Sequence, residues 1–362
     1  MVNNQLDRIR LEIDDLDREL SKLLEKRMDL VSQVADFKKE TQTNILDESR
    51  EQKVLENALS VVLNSDYVDS ITATFKSIMN HSREYQKNRI VNSQMDSKRY
   101  ILIGEHLTHS LSVPIHNFFF KKINIKATYD LLEVPKSELT ELLIKLRREG
   151  YSGVNVTIPY KTEIMRLLDV LSEEVIRVGA VNTIKLGEKL IGYNTDYHGF
   201  GMALAYNGVV PEGKLCAVLG SGGSSRAVVS FLEDYKASSI AIVTRDPDAT
   251  SLKYPGLQCI DIKEFSAHGF DLVVNTTPVG MTPKAGFSPI KQAQLQGASF
   301  VMDLIYNPAE TLLLQYAREL DIPCANGLYM LVAQGICAQE IWQDTPFDQD
   351  MVNAIYEEMK IL

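Results

Sequence analysis

The sequence is short of positive charge, of clustered metal ligands and of long apolar runs. Its 38 Lys and Arg residues are outnumbered by 48 Asp and Glu, for a net charge of −10. That excludes general nucleic-acid binding, which needs a basic face, and means that local cations must hold any anionic substrate. The four cysteines, Cys216, Cys259, Cys324 and Cys337, lie far apart without metal-ligand spacing, and the six histidines do not cluster. No metal is expected, and the thiols read as reduced residues of a cytoplasmic protein. No stretch approaches the ~20 apolar residues of a membrane span. The N-terminal stretch is amphipathic and charged, unlike a secretory signal.

Glycine and proline are absent before Thr41-Gln-Thr-Asn44. Across that stretch Leu6, Ile9, Ile13, Leu16, Leu20 and Leu23 alternate steps of three and four, a stripe of coiled-coil type. Arg27 stands where the next apolar residue belongs, and Leu30, Val34 and Phe37 resume the pattern. One helix of roughly ten turns is expected, followed by two more over about 47–64 and 66–89. Such an arm reads either as a dimerisation coiled coil or as something chemical. Its polar residues favour the second reading, because a guanidinium in an apolar seam needs an anionic partner. Lys38 returns to nearly the face of Arg27, ~16 Å along the axis, whereas Arg10 lies ~26 Å away. Arg10 and Arg27 can therefore touch one small ligand only if Arg10 comes from a second, antiparallel copy. Asp47, Arg50 and Glu51 share a spacing of i, i+3 and i+4, and Ser82 and Gln86 share i, i+4.

Arg10, Arg27, Lys38, Asp47, Arg50, Glu51, Ser82 and Gln86 resemble, in type and spacing, the active-site set of the all-α chorismate mutases, over roughly residues 1–90. The resemblance implies rearrangement of chorismate to prephenate in a domain-exchanged helical dimer. Arg27 and Arg10 of the second copy would hold the two carboxylates, Lys38 and Gln86 the ether oxygen, and Asp47 and Glu51 the ring hydroxyl. Arg50 and Ser82 complete the set. A pericyclic reaction needs a compact conformer and donors aimed at developing negative charge, not a nucleophile.

Gln94-Met-Asp-Ser-Lys98 is polar and unpatterned, which places a boundary near 90–98. Beyond it, strands are expected at Tyr100–Gly104, Ile125–Tyr129 and Gly153–Ile158, with a helix over Ser137–Arg148. This alternation implies a parallel or mixed sheet covered by helices. Ser110 and Ser112 read equally as helix caps or as a hydroxyl pair for a carboxylate. Lys161 follows Pro159 just past a strand, where a lone lysine is usually a surface charge. Gly179–Thr183 and Gly192–Asp196 read as two strands that end in polar groups, Asn182 and Asp196, each compatible with a plain turn role.

Together these stretches closely resemble shikimate dehydrogenases, over about residues 99–362. The shared motifs are Ser-Leu-Ser, Asn-Val-Thr-x-Pro-x-Lys, Gly-Ala-Val-Asn-Thr, Asn-Thr-Asp, a glycine-rich turn, Asn-Thr-Thr-Pro-x-Gly-Met, Asp-x-x-Tyr-Asn-Pro, and Gly327-Leu-Tyr-Met-Leu-Val-Ala-Gln334. By this resemblance Ser110, Ser112, Thr157, Asn182, Tyr306 and Gln334 bind substrate, and Lys161 and Asp196 form the catalytic pair.

The glycine-rich turn also speaks for itself. Leu215–Leu219 is an apolar run, Gly220, Gly222 and Gly223 follow, and Ala227, Val228, Val229, Phe231 and Leu232 have helical spacing. A strand that turns on glycines into a helix makes a site for phosphate. Residues 199–326 read as a Rossmann-like unit with further strands at Ile240–Thr244, Leu272–Asn275 and Phe300–Asp303. At the second strand's tip Arg245 favours NADP, while Asp246 leaves NAD open as a weaker alternative. The resemblance adds Ser221, Ser224, Thr244, Glu173, Leu304 and Gly327 to the cofactor set, and it implies that the helices over 329–342 and 347–362 pack back on the first sheet.

The sequence thus implies a multidomain chain. An all-α, three-helix mutase domain (1–92), forming an intertwined dimer, precedes an α/β dehydrogenase. The dehydrogenase has a substrate domain (99–198 and 327–362) and a Rossmann-like NADP domain (199–326). Its expected partners are shikimate, chorismate and a second copy of itself. One alternative is a quinate or mixed quinate/shikimate dehydrogenase whose arm is a non-catalytic dimerisation or metabolite-sensing module. Another treats the arm as a purely structural coiled coil.

Overall fold

The computed structural model describes residues 2–41, 43–44, 46–95, 97–105, 107 and 110–361. Gln42, in the expected helix end, and Asp96, in the expected linker, lie outside the described residues. Contacts divide the chain into two units, Met1–Ser97 and Lys98–Leu362.

The first unit is α1 (Val2–Thr41), α2 (Glu48–Leu59) and α3 (Val68–Met95). At 1.5 Å per residue α1 is ~60 Å long, so only part of it meets α3. Both α1 and α2 pack on α3. The apolar row expected on α1 is present, but in the single chain it faces outward. Leu6, Ile9, Ile13, Leu16, Leu20, Leu23, Leu30, Val34 and Phe37 are each 44–65% exposed. Boundaries differ from the expected ones: the second helix stops at Leu59, short of Asn64, and two further departures bear on the site. Asp47 is not on a helix face: it is the N-cap of α2, with φ −132° and ψ 90°, accepting from Arg50 N–H. The third helix runs to Met95, through the segment read as a boundary, because the sequence offers no glycine or proline to stop it before Gly104.

The second unit opens with β1 (Lys98–Gly104), α4 (Ser112–Lys122), β2 (Ala127–Glu133), α5 (Leu139–Arg148) and β3 (Tyr151–Val156). It continues through β4 (Val170–Leu171), α6 (Glu173–Val178), β5 (Thr183–Leu186), β6 (Leu190–Tyr193) and α7 (Thr195–Tyr206). These strands form a mixed sheet in the order β2-β1-β3-β5-β6-β4, with β5 antiparallel to both neighbours. Then follow β7 (Leu215–Leu219), α8 (Gly223–Asp234), β8 (Ser239–Thr244), α9 (Pro247–Ser251), β9 (Gln258–Asp261) and β10 (Leu272–Asn275). Next are α10 (Gln292–Leu295), β11 (Val301–Asp303), α11 (Leu312–Glu319) and β12 (Cys324–Ala325). They form an all-parallel sheet in the order β12-β11-β10-β7-β8-β9. The strand order reverses between β7 and β10, and the crevice at such a switch is where these sheets take ligands. Last come α12 (Leu328–Gln343) and α13 (Gln349–Met359).

Four strand readings need correction, one of them Gly192–Asp196, where the strand is Leu190–Tyr193 and Asn194 already caps α7. The second strand begins at Ala127, since Ile125 N–H still bonds Phe120 O at the end of α4. The third ends at Val156, where the turn over Thr157–Tyr160 carries Pro159, which has no N–H for a ladder. Gly179–Asn182 is not a strand at all. It is the left-handed exit of α6 and a buried connection, so Asn182 precedes its strand, and Asp196 lies in the first turn of α7. Because β5 and β6 are antiparallel, with Thr183 opposite Tyr193, the start of one and the end of the other share an edge. The polar groups still converge.

The return of α12 to the first sheet rests on close packing. Trp342 Nε1 donates to Ile184 O (2.9 Å), and its ring stacks on Tyr100. Gly199 on α7 lets α12 approach, since a Cβ there would stand 2.9 Å from Met330 O. That contact brings Gln334 to Asn182.

Candidate functional site

In the second unit Lys161 Nζ donates to Asp196 Oδ2 at 2.5 Å, and the two side chains are only 12% and 10% exposed. The loop after β3 supplies the lysine, and the first turn of α7 supplies the aspartate. Asn182, buried beside them, donates to Asp196 Oδ1 (2.9 Å) and accepts from Thr195 N–H (2.7 Å). Gln334 Oε1 accepts from Asn182 Nδ2 and Thr195 Oγ1, both at 3.4 Å. Lys161, Asp196, Asn182 and Gln334 are thus one cluster drawn from four separate stretches.

Ser110 and Ser112 are also together. Ser110 Oγ donates to Ser112 Oγ (3.1 Å) and accepts from Ser112 N–H (3.2 Å). Neither caps α4 through its side chain, because the N-cap is Leu111. Ser112 lies close to Tyr129, whose hydroxyl donates to Asn155 Oδ1 (2.6 Å). Asn155 Nδ2 reaches the Asn182 carbonyl (3.2 Å) and Thr183 Oγ1 (3.0 Å), joining the serines to the Lys–Asp cluster. The sequence reading gave Tyr129, Asn155, Thr183 and Thr195 no role, although all but Tyr129 lie inside motifs quoted above. Thr157 follows β3 with its N–H on Ile103 O (3.0 Å). Tyr306 follows β11, and burial raises its hydroxyl pKa.

The glycine turn joins β7 to α8. Gly220 has φ +104°, which favours glycine. Gly222 is the N-cap of α8 with no side-chain cap, and a Cβ there would meet nothing within 4 Å. The first N–H groups of a twelve-residue helix thus open onto free space, a place that suits phosphate. The aliphatic stem of Lys161 passes beside Gly223, 3.8 Å from where its Cβ would be. The turn over Gly220, Ser221, Gly222, Gly223 and Ser224 therefore adjoins the Lys–Asp pair.

At the tip of β8, Thr244 is buried and bonded by Thr250 Oγ1 (3.1 Å), while Arg245 is exposed. Asp246 is engaged locally: it caps α9, accepting from Ala249 N–H (3.0 Å). Glu173 is exposed at the start of α6, which packs on α8. Gly327 lies so close to Leu304 that a Cβ would come within 2.0 Å of its carbonyl oxygen. The cysteines are free, and burial pushes the Cys216 and Cys337 thiols up to about 12.

The first unit brings together fewer of its residues. Arg27, half-buried rather than enclosed, donates from NH1 to Ser82 Oγ (2.6 Å), linking α1 to α3. Gln86, one turn beyond, is buried, and its Oε1 has no hydrogen-bond partner among the described residues. Lys38 is half-buried, close enough to Asp47 to help hold that carboxylate below its ordinary value; the Arg50 N–H and the Ser49 hydroxyl do most of this. Arg83, which the sequence reading missed, places NH1 at 2.8 Å from both oxygens of Glu51. Arg50 is exposed, and Arg10 is far along α1, paired with Asp7 at 3.7 Å.

A parallel nucleotide-binding sheet, a mixed sheet and a Lys–Asp pair between them define an α/β dehydrogenase, here preceded by a helical unit. Residues 102–184 match the shikimate dehydrogenase substrate binding domain, and residues 9–87 match chorismate mutase type II. A shikimate dehydrogenase (NADP(+)) of Clostridium beijerinckii is 40% identical over 259 residues, covering 71% of this chain and 96% of that protein. The chain belongs to the shikimate dehydrogenase family, in a form that carries a chorismate mutase type II region ahead of the dehydrogenase. The crystal structure of a chorismate mutase/shikimate 5-dehydrogenase fusion protein from Clostridium acetobutylicum is similar, with TM-score 0.71 and 45% identity, over 73% of this chain and 97% of that one. The Thermus thermophilus shikimate 5-dehydrogenase in complex with NADP(H) and shikimate is similar at TM-score 0.66 and 30% identity, over 72% of this chain and 99% of that one.

Proposed function

We propose that the second unit interconverts shikimate and 3-dehydroshikimate with NADP, and that the first rearranges chorismate to prephenate. The observation that carries the dehydrogenase reading is the enclosed Lys161–Asp196 bond beside Gly223. Oxidation of a secondary alcohol needs a group that takes the hydroxyl proton at the place where hydride leaves. Lys161 Nζ takes that proton on oxidation and returns it on reduction, while Asp196 and Asn182 fix its position. Ser110 and Ser112 turn their hydroxyls to the substrate carboxylate, and Thr157, Tyr306 and Gln334 hold the ring hydroxyls. NADP, when bound, supplies the hydride acceptor or donor. The turn over Gly220–Ser224 fits its pyrophosphate, Thr244 and Arg245 its 2′-phosphate, and Glu173, Leu304 and Gly327 complete its walls. With Asp246 occupied as a cap, Arg245 is the charge left to choose the cofactor.

This reading divides the dehydrogenase into a substrate domain (99–198 and 327–362) and an NADP domain (199–326), after a mutase domain (1–92). In the mutase, the exposed apolar row on α1 pairs with that of a second copy, which brings Arg10 to Arg27. The two arginines hold the carboxylates of chorismate, and Asp47 and Glu51 face its hydroxyl. Rotating the Gln86 amide points its unpaired end, as N–H, at the ether oxygen beside Lys38. Free thiols suit a cytoplasmic setting. The test is to assay full-length protein for shikimate oxidation with each nicotinamide cofactor and for chorismate loss. Failure of shikimate oxidation with both cofactors refutes the first reading, and full mutase turnover by Arg27→Ala refutes the second.

A further inference from the structure

Two residues of the shared motifs take no part in the proposed chemistry, Asn275 and Asp303. They are the last residues of β10 and β11, and they stand opposite each other in the parallel register. Both are 0% exposed. They lie at the carboxyl ends of the strands, the edge on which such a sheet takes its ligands.

At this edge side chains take over from the backbone ladder. Leu304 N–H still bonds Asn275 O (3.0 Å), and Thr276 N–H bonds Leu219 O (3.0 Å). The next N–H groups go to side chains. Thr277 N–H donates to Asn275 Oδ1 (3.0 Å), and Ile305 N–H donates to Asp303 Oδ1 (3.1 Å). Each strand thus turns on its own last side chain. The two side chains are also bonded to each other, Asn275 Nδ2 donating to Asp303 Oδ1 at 2.9 Å. Thr277 Oγ1 adds a second bond to Asn275 Oδ1 (2.8 Å), and Thr311, the cap of α11, donates to Asp303 Oδ2 (2.6 Å).

Packing alone does not ask for a carboxylate here. A buried charge is costly unless it is paired or hydrogen-bonded. Asp303 has no ion pair among the described residues; three neutral donors meet it instead. Burial pushes its carboxyl up to about 6 and the three bonds oppose that rise, so at pH 7 it is charged and only accepts.

The two turns carry different parts of the proposed site. The turn held by Asn275 lies against the glycine turn: a Cβ on Gly220 would stand 2.8 Å from Thr277 Cγ2 and 3.0 Å from Thr276 Oγ1. The turn held by Asp303 carries Leu304, packed on Gly327, and then Tyr306.

We propose that Asn275 and Asp303 are positioning residues that set two walls of the cofactor crevice, Asn275 through Thr277 and Gly220, Asp303 through Ile305 and Tyr306. The shikimate part of this rests on the dehydrogenase reading, whereas the NADP part is a binding measurement. Calorimetric titration of full-length protein with NADP and steady-state shikimate oxidation test it together. Asn275→Ala should raise the Kd for NADP about tenfold, the equivalent of one hydrogen bond, and leave KM for shikimate within about threefold. Asp303→Ala frees both turns and should raise that Kd and KM for shikimate about tenfold each. Its kcat should stay within about threefold, because Lys161 and Asp196 keep their own bonds. Asp303→Asn keeps an oxygen for both N–H groups and should restore both values to within about threefold of wild type. Variants with a lowered Tm but unchanged Kd and KM make the pair purely structural and overturn the proposal, as does a loss confined to kcat. Should Asp303→Ala not fold, an unchanged Kd in Asn275→Ala still overturns it. Wild-type protein that binds NADP but does not oxidise shikimate refutes the dehydrogenase reading instead, and the titrations then still decide. Wild-type protein that binds no NADP overturns both.

Discussion

The two polar clusters of this chain stand in different frames. Lys161 and Asp196 are about a tenth exposed and are supported by Asn182, just before β5, and by Gln334 on α12. Arg10 keeps 66% of its side chain exposed, and the apolar row beside it is 44–65% exposed. An α/β unit closes a cleft from one chain because its loops converge at the ends of adjacent strands. The three helices bring Arg27 to Ser82 and Arg83 to Glu51, but the first of them, 40 residues long, leaves Arg10 far from that group. On the proposed reading, another copy supplies the missing wall around a small ligand. On that reading a complete site and a half site follow from the same rule, that polar groups work where water is excluded.

The comparison breaks most visibly at Lys161. Lys161→Ala should lower kcat for shikimate by about 10³-fold, in the range of a lost acid–base group, with KM moved far less. Steady-state cofactor reduction measures both. A change confined to KM would make the lysine a binding residue and remove the contrast between the clusters. Mutase turnover in the same variant should be unchanged. The half site breaks at Leu20, in the middle of the exposed row. Leu20→Glu would bury a charge in the proposed seam and weaken self-association by about 10²-fold. Sedimentation at micromolar concentration reads this directly, and mutase turnover should fall on dilution while shikimate oxidation does not. A fully active wild-type monomer would show that the arm completes its site alone.

Much of this was legible in the sequence, and the rest failed for identifiable reasons. The absence of glycine and proline together with the Leu6–Leu23 stripe specified α1 almost to its last residue. The run Leu215–Leu219 before Gly220 specified β7, its turn and α8. Ala180 and Val181 misled because an apolar run reports burial rather than extension; both are buried without being in a strand. The short strands β9 and β12 exist only by pairing with β8 and β11, a tertiary fact. The same holds for Tyr129 and Asn155. They come from strands that both flank β1, and only the sheet makes them neighbours. Arg83 carried no signal, since a charge beside Ser82 on a helix reads as a solvated face.

Cofactor choice sharpens the comparison on the side of the complete site. Arg245 is exposed at the tip of β8, and Asp246 is turned to the start of α9. Arg245→Ser should raise KM for NADP about thirtyfold, the worth of a charge-assisted contact to phosphate, and leave KM for NAD nearly unchanged. An equal loss for both cofactors would place the guanidinium on a part that they share.

The smallest effect is expected at Asp47, and it separates two roles that the sequence cannot. Asp47 Oδ1 accepts from Arg50 N–H (3.0 Å) and from Ser49 Oγ (2.9 Å), and these bonds hold its carboxyl below the ordinary 3.8. A depressed folded-state pKa gives stability that is present above 3.8 and is lost as pH falls through the lower value. Asp47→Ala should therefore lower the Tm of the helical unit by about 3 °C at pH 7, and this difference from wild type should shrink in acid. Asp47→Asn keeps a capping acceptor and should retain most of the stability. If the carboxylate also faces the hydroxyl of chorismate, Asp47→Asn will lose mutase turnover while it keeps its Tm. If turnover and Tm are both retained, Asp47 is a cap alone, and of the two acids Glu51 with its Arg83 partner is left to meet that hydroxyl.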